Sequence, residues 1–252
     1  MVPARITVVA ALAALGICCR TGPPPAIDPA LAASVPPEAT ILAGVNLERV
    51  RSSPLRPQFP PAALAFLDSL AAARSALVAS DGNRYLVLTR GEVAGFTVLG
   101  HGVEGSGSPD WLSFAWTRGS ATSNALLARA EPVAASADIW IAAAGNANLP
   151  VSGNGENLNN LLHSTEYATL SVRLTDNVAL EAMGLCSAPE PARHLEETVR
   201  AFVSIGAGAT ARQPELSGLL RRIRVTRDGR AVHVTLVVQA AELQGVLKLF
   251  GL

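Results

Sequence analysis

Apolar residues alternate with small or polar ones over residues 39–47. Ile41, Ala43, Val45 and Leu47 fall on one side of an extended chain, and Leu42, Gly44 and Asn46 on the other. That period of two predicts a strand. After a Pro- and Arg-rich connection, Pro61 opens a stretch reaching to residue 74, in which Ala63, Leu64, Leu67, Leu70 and Ala71 recur at helical spacing. Asp81-Gly82 and Asp228-Gly229 each sit between apolar runs and predict β-hairpins. Treated as two-residue loops, they pair Val78 with Tyr85 and Leu77 with Leu86 in the first hairpin, and Val225 with Val232 and Ile223 with Val234 in the second. The second register also sets Arg224 opposite His233 and Arg222 opposite Thr235. One face is then apolar and the other polar, as in a half-buried antiparallel sheet.

Between the hairpins, residues 93–99 predict a strand, 100–109 a loop of glycines and serines, 111–116 a strand and 122–130 a short helix. The apolar run 138–144 suits a buried strand. Six asparagines follow, at 146, 148, 154, 157, 159 and 160. Asn154 is placed to cap a helix whose Leu158, Leu161 and Leu162 face the core. Residues 167–174 and 178–184 read as paired strands. Over 191–205, Ala192, Leu195, Val199 and Phe202 form one helical seam, with Arg193, Glu196, Glu197 and Arg200 opposite. Gly206-Ala207-Gly208 reads as the stop of that helix, and a last helix is predicted over 240–250. Helices that follow pairs of strands predict an α+β fold: antiparallel sheets with helices packed on one face. Two similar subdomains, 38–145 and 146–252, fit this pattern, because each opens a strand with a short Ala-Thr motif and holds a leucine-rich helix and an Asp-Gly hairpin.

The start of the chain has a different character. Arg5 precedes a 12-residue apolar run, 6–17, that ends in Cys18-Cys19. A membrane-spanning helix needs about 20 such residues. One positive charge before a short apolar core is the pattern of an export signal, here residues 1–18. The paired cysteines resemble a lipobox, which makes Cys18 or Cys19 a candidate for lipidation. Leu15 and Gly16 fit modification of Cys18, although Ile17 is larger than the usual residue before the cysteine. For Cys19, Gly16 stands where leucine is usual. Residues 19–37 carry six prolines, at 23, 24, 25, 29, 36 and 37. Such a stretch predicts an extended tether. The expected location is the cell envelope, with a lipid anchor and the body facing the periplasm or the exterior.

Composition narrows the chemistry. Twenty basic residues balance 20 acidic ones, only 16% of the chain is charged, and 49% is hydrophobic. Such a chain can build a core, and it lacks the basic excess of a nucleic-acid binder, so no nucleic-acid partner is expected. Cys186 would be the one thiol left in the mature body, and it reads as an inert buried residue. The histidines at 101, 163, 194 and 233 stand far apart, with no His-Glu-x-x-His and no Cys-x-x-Cys, so neither a metal site nor a cofactor is expected. Gly105-Ser106-Gly107-Ser108 does not have the spacing of a serine-hydrolase elbow, and no catalytic residue is assigned. One candidate ligand patch stands out on the polar side of the last hairpin: Arg222, Arg224 and His233, with Arg221 nearby. Neighbouring arginines bind carboxylate or phosphate by paired hydrogen bonds.

Pro36-Pro37-Glu38-Ala39-Thr40, the strand that follows and Glu48-Arg49-Val50 resemble the start of the mature domain in an uncharacterised exported bacterial lipoprotein-like family. Residues 145–174 are similar to the same group. The resemblance implies a tandem α+β body behind a lipoprotein signal, and it brings no catalytic residues. The expected function is a non-enzymatic, envelope-anchored binding or assembly module. Its partners would be the membrane, through the N-terminal lipid, and an envelope protein. The alternative is an exported hydrolase whose site is not recognisable from sequence.

Overall fold

Strands organise the described part of the chain, which is residues 25–117, 123–149, 156–210 and 212–242 of this computed structural model. There are ten: β1 (Ile41–Asn46), β2 (Ser75–Ser80), β3 (Tyr85–Arg90), β4 (Thr97–Gly100), β5 (Val103–Gly107), β6 (Ile139–Ala144), β7 (Tyr167–Leu174), β8 (Asn177–Leu185), β9 (Arg224–Asp228) and β10 (Ala231–Gln239). They form one antiparallel sheet in the order β4-β5-β3-β2-β1-β6-β7-β8-β10-β9. With its flanking helices the sheet makes an α+β fold.

The order contains a repeat. Outward from the centre, the first five strands run 1-2-3-5-4 and the second five run 6-7-8-10-9. In both sets the fifth strand is inserted between the third and the fourth. The innermost strands β1 and β6 pair antiparallel, Ile41 with Ala143 and Val45 with Ile139, so an approximate twofold relation passes between them. The sheet runs without a break through both sets. At this seam the Trp140 side chain lies over Gly44, where a Cβ would collide with the indole.

The helices break the symmetry. On one face of the sheet, called here the first face, α1 (Pro29–Ala32), α4 (Pro109–Thr117) and α5 (Ala125–Ser136) cover strands β3 to β7. Trp111, Ala115, Leu126, Ala130 and Ala134 from these helices meet Leu42, Leu77, Leu86, Leu88 and Trp140 from the sheet. Asn124 fixes the start of α5. Its side chain accepts from Leu126 N at 2.8 Å and donates to the carbonyls of Pro36 at 2.9 Å and Ala39 at 2.8 Å. On the second face, α7 (Pro189–Ala209) and α8 (Pro214–Arg222) cover the outer strands of the second set, with Ala192 and Leu195 against Val225 and Val232, and Leu219 against Val178 and Val238. The crossovers α2 (Leu47–Ser52) with α3 (Pro61–Ser69), and α6 (Glu156–His163), also lie on the second face, toward opposite ends of the central strands.

Several expectations from sequence are corrected. Residues 111–116 form helix rather than strand. Pro109 starts the helix, and Trp111 and Ala115, four apart, are the residues it buries. Residues 100–109 contain most of a hairpin, not a loop. Gly105 keeps neighbouring strands close there: a Cβ would lie 2.8 Å from Leu99 Cδ1 and 3.3 Å from both Leu88 Cδ2 and the Val87 carbonyl oxygen. The helix over 189–209 runs through Gly206 and Gly208 and ends at Thr210. Helix α8 was not foreseen.

Both Asp-Gly hairpins are shifted by two residues from the expected register. Ser80 pairs with Tyr85, and Val225 pairs with Val234. In the first, Asp81 begins a four-residue loop and its Oδ1 accepts from Asn83 N at 2.9 Å and Arg84 N at 2.7 Å. In the second, Asp228 still pairs with Ala231, and the loop is Gly229-Arg230 with Gly229 at φ 55°. Ile223 is the C-cap of α8 and lies outside the strand. A shift of two preserves which side chains share a face. Asn154 and most of the expected closing helix lie outside the described residues, and residues 240–242 are helical.

Candidate functional site

Among the described residues, the helical layers leave part of each set of strands uncovered on one face. In the second set the uncovered part is on the first face, where α5 covers β6 and β7 and the helical layer of the described residues then stops. Beyond it, β8, β10 and β9 present an open shelf. Strand pairing puts Glu181, Thr235 and Arg224 in one row, Met183, His233 and Thr226 in the next, and Arg173, Ala179 and Val237 in a third. All project opposite to α7 and α8, because the alternate residues Val225, Val232 and Leu180 pack under those helices.

The structure divides the ligand patch expected from sequence. Arg224 and His233 share the shelf, but Arg224 lies opposite Thr235 and His233 opposite Thr226. His233 Nδ1 is 3.8 Å from Glu181 Oε1. Arg222 is in the last turn of α8, where it donates to Glu242 Oε2 at 2.9 Å. That hydrogen bond holds the Glu242 carboxyl below the usual carboxylate range. Arg222 therefore secures the end of β10 to α8. Arg221 shares its helix turn.

Two shelf residues were not singled out by the sequence. Arg173, exposed on β7, stands beside Ala179. Arg129 on α5 lies over the Tyr167 ring at 5.1 Å, at the side of the shelf. The signal that could have found Arg173 is alternation: in 167–174 it shares a face with Thr169 and Ser171, opposite to Leu170, Val172 and Leu174. Arg129 carried no such signal, because its place depends on where α5 crosses the sheet.

Other polar clusters hold the fold. Arg84 joins Asp81 at 2.7 Å, Asp110 at 2.7 Å and Glu38 at 3.7 Å, and stacks on Trp111 at 4.9 Å. This ties the first hairpin to α4. Glu196 is paired with Arg200 at 2.8 Å and Arg227 at 3.1 Å, tying α7 to edge strand β9. Asn159 both accepts from and donates to the backbone of Leu149, so part of the asparagine-rich stretch serves loop structure. An open cleft lined by Arg74, Arg90, Glu92 and His101 has its arginines engaged, Arg90 with Asp28 at 3.2 Å and Arg74 with Glu48 at 3.7 Å. Cys186 is fully buried, and that burial, followed by the negative charge of Glu166, pushes its thiol up from the usual range. Among the described residues no three metal-ligating side chains cluster, and no helix is long and apolar enough to cross a membrane.

No family model and no curated protein matches the chain. Among solved structures, crystal form III of TP0453 is similar to it with a TM-score of 0.49 and 8% identity, over 88% of this chain and 98% of that one. Crystal form I of TP0453 gives a TM-score of 0.41 and 9% identity, over 88% and 96%.

Proposed function

We propose that this chain is a non-enzymatic binding or assembly module, held at the cell envelope by a lipid on Cys18 or Cys19 and facing the periplasm or the exterior. The observation that carries the binding role is the shelf. Among the described residues, a sheet face of three strands carries no helical layer, and the residues on it are mainly polar. A sheet face in a soluble fold is ordinarily packed or solvated, and this one adjoins a covered region at the step formed by α5. The anchor rests on the 12-residue apolar run ending in two cysteines and on the proline-rich residues 19–26 after it; the expected tether does not reach residue 37, because Ile27, Leu31 and Val35 are buried in the core and Pro29–Ala32 form α1. A tether of this kind separates a binding surface from the bilayer.

The anchor is tested by intact mass of the full chain made in a bacterial host. The expected species lacks the first 17 or 18 residues, carries a lipid adduct and partitions into detergent. Replacing both cysteines, Cys18→Ala with Cys19→Ala, should abolish the adduct. An unprocessed chain beginning at Met1 and remaining in the cytoplasm would contradict the proposal. Turnover of ester or peptide substrates by the purified chain would move the reading to an exported hydrolase.

A further inference from the structure

We infer that the shelf seats one acidic, amphipathic helix of a partner protein beside α5. This deepens the binding role proposed above and rests on it. The size argument comes from the layers. Three neighbouring strands place their outer axes about 10 Å apart, and a helix with its side chains is about 10–12 Å across. One helix on β8, β10 and β9 would therefore continue the layer that α5 ends.

The chemistry argument comes from charge. Arg173 and Arg224 on the floor and Arg129 on the wall make no ion pair among the described residues, whereas Arg84, Arg90, Arg222, Arg227 and Arg230 all do. Of the two acids on the floor, Glu181 faces His233 and Asp228 lies opposite Ala231. Three arginines stand against two acids, and Asp228 lies at the end of β9 away from Arg173 and Arg224, so the end of the shelf around Val237 complements an anionic partner. Ala179 and Val237 stand side by side in the row of Arg173, next to the row of Arg224, and supply an apolar patch between these arginines; Val237 is 43% exposed. A helix with an apolar stripe flanked by Asp and Glu matches both features.

The chain's own undescribed stretches do not fit. Residues 1–24, 118–122, 150–155 and 243–252 contain no Asp or Glu. The chain also leaves β10 toward the other face, where Ala240 packs with Leu219 and Glu242 pairs with Arg222. A flat bilayer does not fit either. Resting on α5, it would stand about one helix diameter above the floor.

The test has two arms and uses the full chain in detergent or in its native envelope. In the first, a fluorescent probe peptide of about 18 residues, with a leucine stripe and glutamates on its polar face, is titrated against the protein and followed by anisotropy. Binding is expected, with at least about tenfold weakening in the Arg173→Glu, Arg224→Glu variant, and weakening as salt rises. The same peptide with lysines should bind at least about tenfold more weakly. Equal affinity of the variant and the parent, or displacement of the probe by anionic phospholipid vesicles, would overturn the inference. A milder pair, Arg173→Gln with Arg224→Gln, answers the question if the reversed pair does not fold.

In the second arm, a photo-crosslinking residue replaces Thr235 on the shelf or Ala62 on α3. Crosslinking from Thr235 to an acidic helical segment, lost in the arginine variants, supports the inference. Crosslinking to another copy of this chain overturns it. Partners captured at Ala62 but not at Thr235 overturn the shelf and leave the binding module standing. Capture at neither position overturns both.

Discussion

The two five-strand sets share a strand order and differ in which face is clothed. In the first set, α1, α4 and α5 pack on the face that carries Leu42, Leu77, Leu86 and Leu88. In the second set, the equivalent face carries Arg173, Glu181, His233 and Thr235, and α7 and α8 pack behind it on Val225, Val232 and Val238. The backbone plan is thus repeated, while side-chain polarity decides where helices settle. Leucines on a sheet face are stabilised by a helix that removes them from water, at about 25 cal/mol per Å² of apolar surface. Arginine and glutamate on the same face lose hydration under a helix unless they are paired.

The strongest way to break the comparison is to attack the seam common to both sets. Trp140 is 5% exposed and packs over Gly44 between β1 and β6. Trp140→Ala should cost about 3–5 kcal/mol and lower the urea midpoint in one cooperative step. Two transitions, with one unmoved by the substitution, would mean that the sets fold independently.

The next test contrasts neighbours on β10. Val232 is 2% exposed and packs with Ala192 and Leu195 of α7. Val232→Ala should cost about 1–3 kcal/mol, whereas His233→Ala, one residue along on the shelf, should stay within about 0.5 kcal/mol. Melting curves of the two variants check this. A larger loss at His233 would mean that the shelf is covered.

Cys186 sharpens the contrast from the clothed side. Its burial and the nearby Glu166 favour the neutral thiol, so a thiol reagent should label it only as fast as the protein opens. The labelling rate should rise with urea through the unfolding transition. Labelling at the rate of a free exposed thiol would contradict the packing of α7 on β8 and β10.

The smallest expected effect is the first set's own share of the acid pH dependence. Hydrogen bonds from Arg84 hold Asp110 below its ordinary value of 3.8. At Asp81, burial raises the value, but the hydrogen bonds from the Arg84 and Asn83 backbone, together with those from the Arg84 side chain, outweigh it and leave it below 3.8. Folded values below unfolded ones mean that this contribution is present above pH 3.8 and is lost as pH falls through the lower folded values. Arg84→Met should flatten the stability profile in that acid window and leave the profile above it parallel to that of the parent.

Sequence made the strands, the two Asp-Gly hairpins and the long helix legible because each has a local period or turn signal. The register of both hairpins was not legible. The Asp81 carboxylate extends its loop to four residues, and Asp228 stays in the ladder while Gly229 turns. Residues 111–116 misled because a short aromatic run fits either period, and only packing on the sheet selects the helix. Strand β5 was hidden because its glycines answer to close neighbours across the sheet. Helix α8 did carry a signal, with Pro214 and Glu215 at its start and Arg221 and Arg222 at its end. Within the candidate site, Arg224 and His233 were found because the two-residue shift kept them on one face. Arg222 was misplaced because the helix before β9 went unseen, and Arg129 belongs to the shelf through tertiary placement alone.

Cysteine scanning along β10 measures the open face most directly. Single cysteines replace Val232, His233, Val234, Thr235, Leu236 and Val237 in turn, and the rate of native-state thiol labelling is followed. Fast labelling at 233, 235 and 237 and slow labelling at 232, 234 and 236 is the expected result, with the two groups separated by at least about tenfold. Uniformly slow labelling would mean that both faces of the second set are covered, and fast labelling at 232, 234 and 236 would place the helices on the wrong face.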